Sequence, residues 1–238
     1  MRLLLTVVVN IGNTFSRAEL WNGKYFEPLF RIETARFDPN ALPEGVPVVA
    51  ATVVPEVKRR PGAEKIHFID ARECGTFVDF TQIDCSTLGA DRVANAIALA
   101  EFYELPAIAV DCGTAITLEI VDEKRVFRGG AIAPGRRLMR RALATGTAQL
   151  PEIPFSAKLP EQAGNGTVES IRFGVDRGAV GLVRELVQVA AAPFGGVEKV
   201  RIVATGGDAP YFAAALPFLE LAPEEFTHHG IRLAGGVF

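Results

Sequence analysis

The chain has 238 residues, of which 49% are hydrophobic and 22% charged, and its formal net charge is −3. This composition is typical of a globular protein with one large core or two smaller ones, and the slight negative charge gives no sign of a general affinity for nucleic acid. Its three cysteines are odd in number and lack metal-ligand spacing, which argues against both a secreted disulfide framework and a metal site of cysteines.

The first predicted element is a strand over Leu3–Val9. Arg2 and the apolar run after it mimic a signal peptide, but the run ends at Asn10 without a small-residue cleavage site. A later apolar run, Val46–Pro55, is too short and too closely bounded by proline to cross a bilayer. We therefore expect a cytoplasmic protein with no membrane segment.

The next elements along the chain are predicted to be mainly strands. Strands over Thr14–Trp21 and Tyr25–Ile32 flank Asn22-Gly23, a strong hairpin signal. A buried strand over Val46–Val54 ends at Pro55. The helix that follows is predicted over Asp91–Tyr103, because its apolar residues recur with a helical period.

The second half restarts the pattern of the first. Strands are predicted over Ala107–Val110 and Ala115–Val121, with a hairpin at Asp122–Lys124. The run Val7–Thr14 (VVVNIGNT) is echoed by Ile108–Thr114 (IAVDCGT), so each half opens with a strand that enters a glycine turn. Glycine lets backbone N–H groups approach a phosphate, threonine adds a hydroxyl donor, and a nearby carboxylate can hold hydrated Mg²⁺.

Two such turns predict a duplicated α/β architecture with a ligand in the cleft between the halves. One Gly-Asn-Thr turn alone is usually an ordinary hairpin turn, and the pair is the stronger signal. We place the boundary near Leu105-Pro106, which gives domains over residues 1–105 and 106–238.

The later part of the chain is predicted to contain a long loop and a long helix. The loop covers Leu150–Gly166, and the helix runs from Val168 to about Ala191 with an apolar stripe. Three glycines in this helix, at positions 174, 178 and 181, indicate close packing against its backbone, either in a crowded core or at a subunit interface. The basic clusters, interpreted as solvated faces, are Lys58-Arg59-Arg60, Arg136-Arg137 and Arg140-Arg141.

Several motifs together resemble those of one kinase family. After the first glycine turn, the motifs are Leu88–Arg92 (LGADR), Asp111–Ala115 (DCGTA), Gly129–Gly135 (GGAIAPG) and Thr205–Gly207 (TGG). They occur in the order found in type III pantothenate kinases, relatives of actin, heat-shock chaperones and sugar kinases. The resemblance covers nearly the whole chain and implies duplicated ribonuclease H-like (actin-like ATPase) domains with a nucleotide cleft between them.

The resemblance also implies an activity and a set of site residues. It implies transfer of the γ-phosphoryl of ATP to the alcohol of pantothenate, the first step of coenzyme A synthesis, by a homodimer that needs Mg²⁺ and a monovalent cation, K⁺ or NH₄⁺. Asp91 would be the general base and Asp111 the K⁺ ligand. The implied nucleotide contacts are Asn10, Ile11, Gly12, Asn13, Thr14, Phe15, Ser16, Arg17, Thr114, Gly206 and Gly207. The implied pantothenate contacts are Gln82, Gly89, Ala90, Asp91, Arg92 and Thr167.

The residue chemistry agrees with these roles and leaves alternatives open. A carboxylate at a helix start, such as Asp91, is held ionised and can accept a proton, but it can also simply cap the helix. Arg92 suits a carboxylate clamp or a surface ion pair. Asp111 can satisfy a strand-end turn, and Thr167 can cap the helix after it. The glycine pairs can be plain turns or points of close nucleotide approach.

Two departures from the family pattern bear on activity. Asn10 replaces the aspartate that begins the family's first loop, so it loses the charge that attracts hydrated Mg²⁺, and we expect impaired turnover. Gln82 and Cys85 stand where the family usually has tyrosine and proline, which bears on the acceptor. Two alternatives therefore remain, a kinase for another small hydroxy acid and a nonenzymatic nucleotide- or metabolite-binding regulator on the same fold.

Overall fold

The computed structural model describes residues 5–237, so Leu3 and Leu4 of the predicted first strand lie outside the described residues. The strands are β1 (Thr6–Ile11), β2 (Phe15–Trp21), β3 (Phe26–Glu33), β4 (Val48–Thr52), β5 (Ile66–Phe68), β6 (Ala107–Cys112), β7 (Ala115–Val121), β8 (Phe127–Pro134), β9 (Arg201–Thr205) and β10 (Glu220–Leu221). The α-helices are α1 (Ala90–Phe102), α2 (Arg136–Gly146), α3 (Thr167–Ala191), α4 (Ala209–Ala215) and α5 (Phe226–Ala234). Short 3₁₀ turns connect several of them.

The chain divides into two compact units. The first contains the residues through Leu105, Val121–Arg128 and the residues from Glu224 onward, and the second contains Pro106–Ile120 and Gly129–Pro223. The C-terminal helix α5 is therefore part of the first unit.

The first unit is built on a five-stranded sheet in the order β3-β2-β1-β4-β5. The central strand β1 pairs antiparallel with β2 and parallel with β4. Its residues alternate between two cores: Val7 and Val9 pack with Ala50 on one face, and Val8 packs with Ala94 and Ile231 on the other. Because both faces are covered, β1 is apolar almost throughout.

The second unit repeats this sheet order. Its strands run β10-β9-β6-β7-β8, so β6 and β9 take the places that β1 and β4 hold in the first unit, and both pairs are parallel. The long helix α3 covers this sheet with Ala179, Val183 and Val187, which are fully buried. The predicted duplicated α/β fold is confirmed.

The predicted hairpin between β2 and β3 is confirmed. The side-chain oxygen of Asn22 accepts the backbone N–H groups of Lys24 and Tyr25, both at 3.1 Å, and Gly23 has a φ of 90°. An amide at the first position and glycine in the left-handed region are the residues that such a turn requires. The turn therefore follows directly from the local sequence.

The plain-turn alternative is wrong for one of the two glycine pairs. Gly129-Gly130 lies inside β8 and is not a plain turn, although Gly129 has a φ of 85°. A strand interior with a left-handed residue is a local irregularity that glycine alone tolerates well.

The interpretation of one basic cluster as a solvated face is wrong. Arg136 and Arg140 are 1% and 3% exposed, and their guanidinium groups pair with the carboxylates of Asp176, in α3, and of Asp208, the residue before α4. The sequence interval between these arginines, four residues, places both on the same side of α2. Arg137 and Arg141 are exposed, as predicted.

Across residues 5–237, none of the helices combines the length and the apolar character that crossing a membrane requires.

Candidate active site

The first glycine turn joins β1 to β2 in the first unit. The Gly12 N–H donates to the Phe15 carbonyl at 3.0 Å, and a methyl group added at Gly12 would lie 3.3 Å from the same oxygen. The Thr34 hydroxyl donates to the Gly12 carbonyl at 2.7 Å, and the Thr34 N–H donates to Thr14 at 3.0 Å. Thr34 therefore stabilises the turn by two hydrogen bonds, while Asn13 and Thr14 are exposed.

The structure separates the predicted residues of this loop by exposure. Ile11 and Ser16 are fully buried, and the Ser16 hydroxyl lies 3.0 Å from that of Thr34. Arg17 forms ion pairs with Glu19 and with Glu224, the latter at 3.0 Å. Ile11 can thus offer a ligand only its backbone, and two carboxylates neutralise the Arg17 charge.

Asp91 lies in the first turn of α1, and Gly89 takes the N-cap position without a side-chain cap. The Asp91 carboxylate accepts the Arg92 N–H at 2.8 Å. Burial raises the pKa of the Asp91 carboxyl above its ordinary value, and the Arg92 N–H opposes this shift. A partly buried carboxylate with a raised pKa is suited to accept a proton.

Val53, a residue that no sequence pattern singled out, lies between Asp91 and the first glycine turn. A methyl group at Gly89 would lie 2.6 Å from Asp91 Oδ1 and 3.3 Å from Val53 Cγ1. The Val53 N–H in turn donates to the Ile11 carbonyl at 3.2 Å. The LGADR motif and the first glycine turn are therefore neighbours within the first unit.

Phe127 and Arg128, which are adjacent in the chain, contact two of the predicted pantothenate-binding residues. The Arg92 guanidinium lies 5.8 Å from the centroid of the Phe127 ring, and the side-chain Oε1 atom of Gln82 accepts a hydrogen bond from Arg128 at 2.6 Å. Arg128 also pairs with the carboxylate of Asp122 at 2.6 Å. Sequence reasoning missed both residues, because they follow a hairpin that is far from Gln82 in the chain.

The second glycine turn lies in the second unit, between β6 and β7. The Gly113 N–H donates to the Ala115 carbonyl at 3.0 Å, so this turn is one residue shorter than the first. Asp111 stands at the end of β6, and a methyl group at Gly113 would lie 3.5 Å from its Oδ1 atom. The turn exposes Thr114.

Gly206 packs directly against this turn. Its φ is 89°, and a methyl group there would lie 2.9 Å from the Cys112 backbone nitrogen and closer still to Asp111 Oδ1. The Asp208 N–H donates to the Cys112 carbonyl at 2.9 Å. The structure therefore brings Asp111, Thr114 and the Gly206-Gly207 pair into one region, and only glycine fits at position 206.

The predicted long helix begins at Thr167, but Gly166 holds its N-cap position, so Thr167 does not cap it. Thr167 lines an open, mostly apolar groove of about 960 Å³, together with Leu143, Ile171 and Gly174. Beyond the nearby backbone of the helix itself, no described atom lies within 4 Å of methyl groups added at glycines 174, 178 and 181. The crowded-core alternative for these glycines is therefore wrong.

Two repeated α/β units, each with a glycine turn after its central strand, make up a fold that this chain shares with a solved protein assigned as a sugar-acid kinase. The chain belongs to the type III pantothenate kinase family, whose model matches residues 6–189.

Relatives within this family match at different lengths. The chain is 41% identical over 152 residues to the type III pantothenate kinase of Methylacidiphilum infernorum, covering 63% of this chain and 55% of that protein. The match to the Rhodospirillum rubrum enzyme covers 56% of its length, so these alignments span little more than half of each relative. The match to the Anaeromyxobacter sp. enzyme is 30% identical over 251 residues and covers 96% of this chain and 98% of that one.

Solved structures show the same fold at low sequence identity. A protein assigned as a 2-dehydro-3-deoxygalactonokinase from Sinorhizobium meliloti superposes with a TM-score of 0.57 at 13% identity, covering 97% of this chain and 98% of that one. The activator of 2-hydroxyisocaproyl-CoA dehydratase from Clostridium difficile gives 0.58 at 14%, covering 96% and 93%.

Proposed function

We propose that the chain transfers the γ-phosphoryl of ATP to pantothenate and forms 4′-phosphopantothenate, the first step of coenzyme A synthesis. The observation that carries this proposal is the placement of Asp91. Its carboxylate is partly buried and has a raised pKa. Asp91 and Val53 both lie close to Gly89, and the Val53 N–H donates to the Ile11 carbonyl next to the first glycine turn. Family membership supports the same reaction.

In this proposal Asp91 accepts the proton of the pantothenate hydroxyl while the hydroxyl oxygen attacks the γ-phosphorus of ATP. The bond from that phosphorus to the oxygen that bridges it to the β-phosphorus breaks, and ADP leaves. Phosphoryl transfer needs alignment and charge neutralisation more than covalent help, so the remaining residues bind and orient. In the first unit, the exposed donors of the turn at Asn13 and Thr14 are the proposed phosphate contacts, and Arg92 and Gln82 are the proposed acceptor contacts. In the second unit, Thr114 is a proposed ATP contact, Gly206 and Gly207 leave room for the nucleoside, and Thr167 is a proposed acceptor contact.

Among the described residues, no group of three His, Cys, Asp or Glu side chains is arranged to hold a metal. Mg²⁺ usually keeps several waters and binds through one or two carboxylates and the substrate phosphates, so this donor set fits an ion that arrives with ATP. We propose that Asp111 is the ligand for the monovalent cation, K⁺ or NH₄⁺. Both ions would neutralise phosphate charge.

The Asn10→Asp variant tests how much the first loop limits turnover. We expect its kcat to rise by about tenfold and its Mg²⁺ requirement to fall, because a carboxylate at the end of β1 attracts the hydrated ion. The assay follows phosphopantothenate formation by purified protein with ATP, Mg²⁺ and K⁺.

Asn13→Asp is the matched control, since it adds the same charge to the exposed turn and should weaken ATP binding by repulsion. No product from either the unchanged chain or Asn10→Asp would contradict the proposed function.

The structure also supports a homodimer through α3. Among the residues that the structure describes, no atom beyond the helix's own nearby backbone would meet a methyl group at Gly174, Gly178 or Gly181, and Gly174 lines the apolar groove at the start of α3. Three helical glycines cost stability unless another backbone approaches them, so a second copy of the chain is the partner that we propose.

A Gly178→Gln variant is expected to weaken the dimer by about tenfold or more, since a long side chain separates the two helices. Sedimentation velocity measures the dimer fraction, and circular dichroism checks that the helix content is unchanged. Gly146→Gln, at the end of α2, is the control and should leave the dimer intact. A dimer of equal strength in the Gly178 variant would exclude this face.

One observation favours a second candidate, a kinase for another small hydroxy acid. Gln82 is engaged by Arg128, which places a second cation beside the acceptor residues. A different acidic acceptor would use it, and a panel of hydroxy acids in the same assay distinguishes the two substrates. A nonenzymatic nucleotide-binding regulator would instead bind ATP without turnover.

The three free thiols support the cytoplasmic location proposed for the chain.

A further inference from the structure

A buried ion network lies beneath the second glycine turn, within the second unit. Arg136 and Arg140 of α2 meet Asp176 of α3 and Asp208, the residue before α4. Asp176 is fully buried, and both of its oxygens accept from Arg140, at 2.6 and 2.7 Å. Two positive and two negative charges therefore balance inside the unit.

The Arg136 guanidinium is divided between the two carboxylates. Its Nε and Nη2 atoms donate to both oxygens of Asp208, at 2.7 and 2.6 Å. Its Nη1 atom donates to Asp176 at 3.1 Å and to the Ser156 carbonyl at 3.0 Å. The Tyr211 ring lies 3.4 Å from the guanidinium carbon. Only a planar fork with several fixed donors can make this set of contacts, so lysine cannot replace it.

Two backbone groups next to this network, the N–H groups of Gly135 and Asp208, contact the second glycine turn, which the proposed function assigns to the nucleotide. The Gly135 N–H, next to Arg136, donates to the Thr114 carbonyl at 3.0 Å, and a methyl group at Gly135 would lie 2.6 Å from that oxygen. The Asp208 N–H donates to the Cys112 carbonyl. Arg136 thus ties together the turn at Gly113 and the turn at Gly206, which come from distant parts of the chain.

We propose that Arg136 is a positioning residue for nucleotide binding. Through Gly135 and Asp208 it fixes the turn at Gly113 and the turn at Gly206 relative to each other. The inference rests on the proposed function, because that function assigns Thr114 and Gly206 to the nucleotide. The turns must present their donors at a fixed spacing, and a bidentate buried arginine holds such a spacing better than apolar packing does. Arg136 itself need not touch the nucleotide.

Calorimetry with ATP and Mg²⁺ on the full chain tests the proposal. The variants are Arg136→Met, which removes the fork, and Asp208→Asn, which keeps the shape of the half-buried partner. Arg141→Met is the matched control, the same change on the same helix at an exposed position. We expect the Kd for ATP to rise by about tenfold in Arg136→Met and by a smaller factor in Asp208→Asn, with no change in the control.

The stoichiometry of binding separates positioning from loss of fold. A purely structural defect lowers the fraction of molecules that bind and leaves the Kd of the rest unchanged, whereas a positioning defect raises the Kd itself. Equal ATP affinity in the unchanged chain, Arg136→Met and Asp208→Asn would overturn the inference. ATP binding that depends on Arg136, without phosphorylation of pantothenate, would uphold it and contradict only the proposed function. No ATP binding by the unchanged chain would contradict both.

Discussion

Replacing Asp91 by asparagine is expected to lower kcat for phosphopantothenate formation by about 10²–10⁴-fold, the usual contribution of a positioned general base. Asparagine keeps the size of the side chain and an oxygen for the Arg92 N–H, but it cannot take the proton of the attacking hydroxyl. The KM for ATP should change little, because the phosphate-binding turns are untouched.

The pH dependence of the unchanged chain follows from the same carboxyl. Only the ionised form of Asp91 accepts a proton, and burial raises its pKa above the ordinary value. Activity should therefore fall as the pH falls through this raised pKa, at a higher pH than an ordinary aspartate would require. The residual activity of Asp91→Asn should lose this acid limb.

Stability separates the catalytic effect from a folding effect. A carboxyl whose folded-state pKa is raised costs stability once the pH exceeds its unfolded pKa, so near neutral pH the Asp91→Asn protein should melt at the same temperature or higher. Asp84→Asn is the control, since Asp84 is exposed and caps a nearby turn by accepting from the Ser86 N–H at 2.9 Å. If Asp91→Asn turned over at the rate of this control, Asp91 would not be the base.

Replacing Gly230 by alanine is expected to destabilise the first unit by about 3 kcal/mol or more, the upper range for overpacking against rigid neighbours. Gly230 lies in α5, and a methyl group there would lie 2.5 Å from the Ala94 carbonyl carbon of α1 and closer still to its oxygen. Because the obstacle is backbone, the two helices must separate, which disturbs the packing of Ile231 and Ala94 on β1.

Thermal and urea unfolding of the purified variant measure this effect, with an expected fall in Tm of roughly 5–10 °C. Gly146→Ala is the matched control, because a methyl group at Gly146 in α2 meets no described atom within 4 Å. That change should be neutral or slightly stabilising, since alanine is the better helix former. A Gly230→Ala protein as stable as the control would show that α1 and α5 do not pack this closely.

The local signals in the sequence were sufficient for most elements. The helices at Asp91 and Val168 and the hairpin at Asn22 were predicted within a residue or two, because helical periodicity and turn chemistry depend on residues that are close in the chain. The echo of the first glycine turn in the second likewise predicted the duplicated sheets. The family motifs identified the family, and the roles of Asp91 and Asp111 stay predictions.

The sequence by itself determined the two glycine turns, the strand and helix types and the family, since each rests on short patterns. Only the tertiary structure decided that Arg136 and Arg140 are buried, that α5 belongs to the first unit and that Gly230 meets Ala94. The physical reason is that each of these depends on contacts between residues that are distant in the chain. Arg136 and Asp208 are 72 positions apart. Thr227 and Asn95, whose side chains form a hydrogen bond of 2.8 Å, are 132 positions apart. A charged residue is exposed unless a partner arrives from elsewhere in the fold, and a local pattern does not contain that partner.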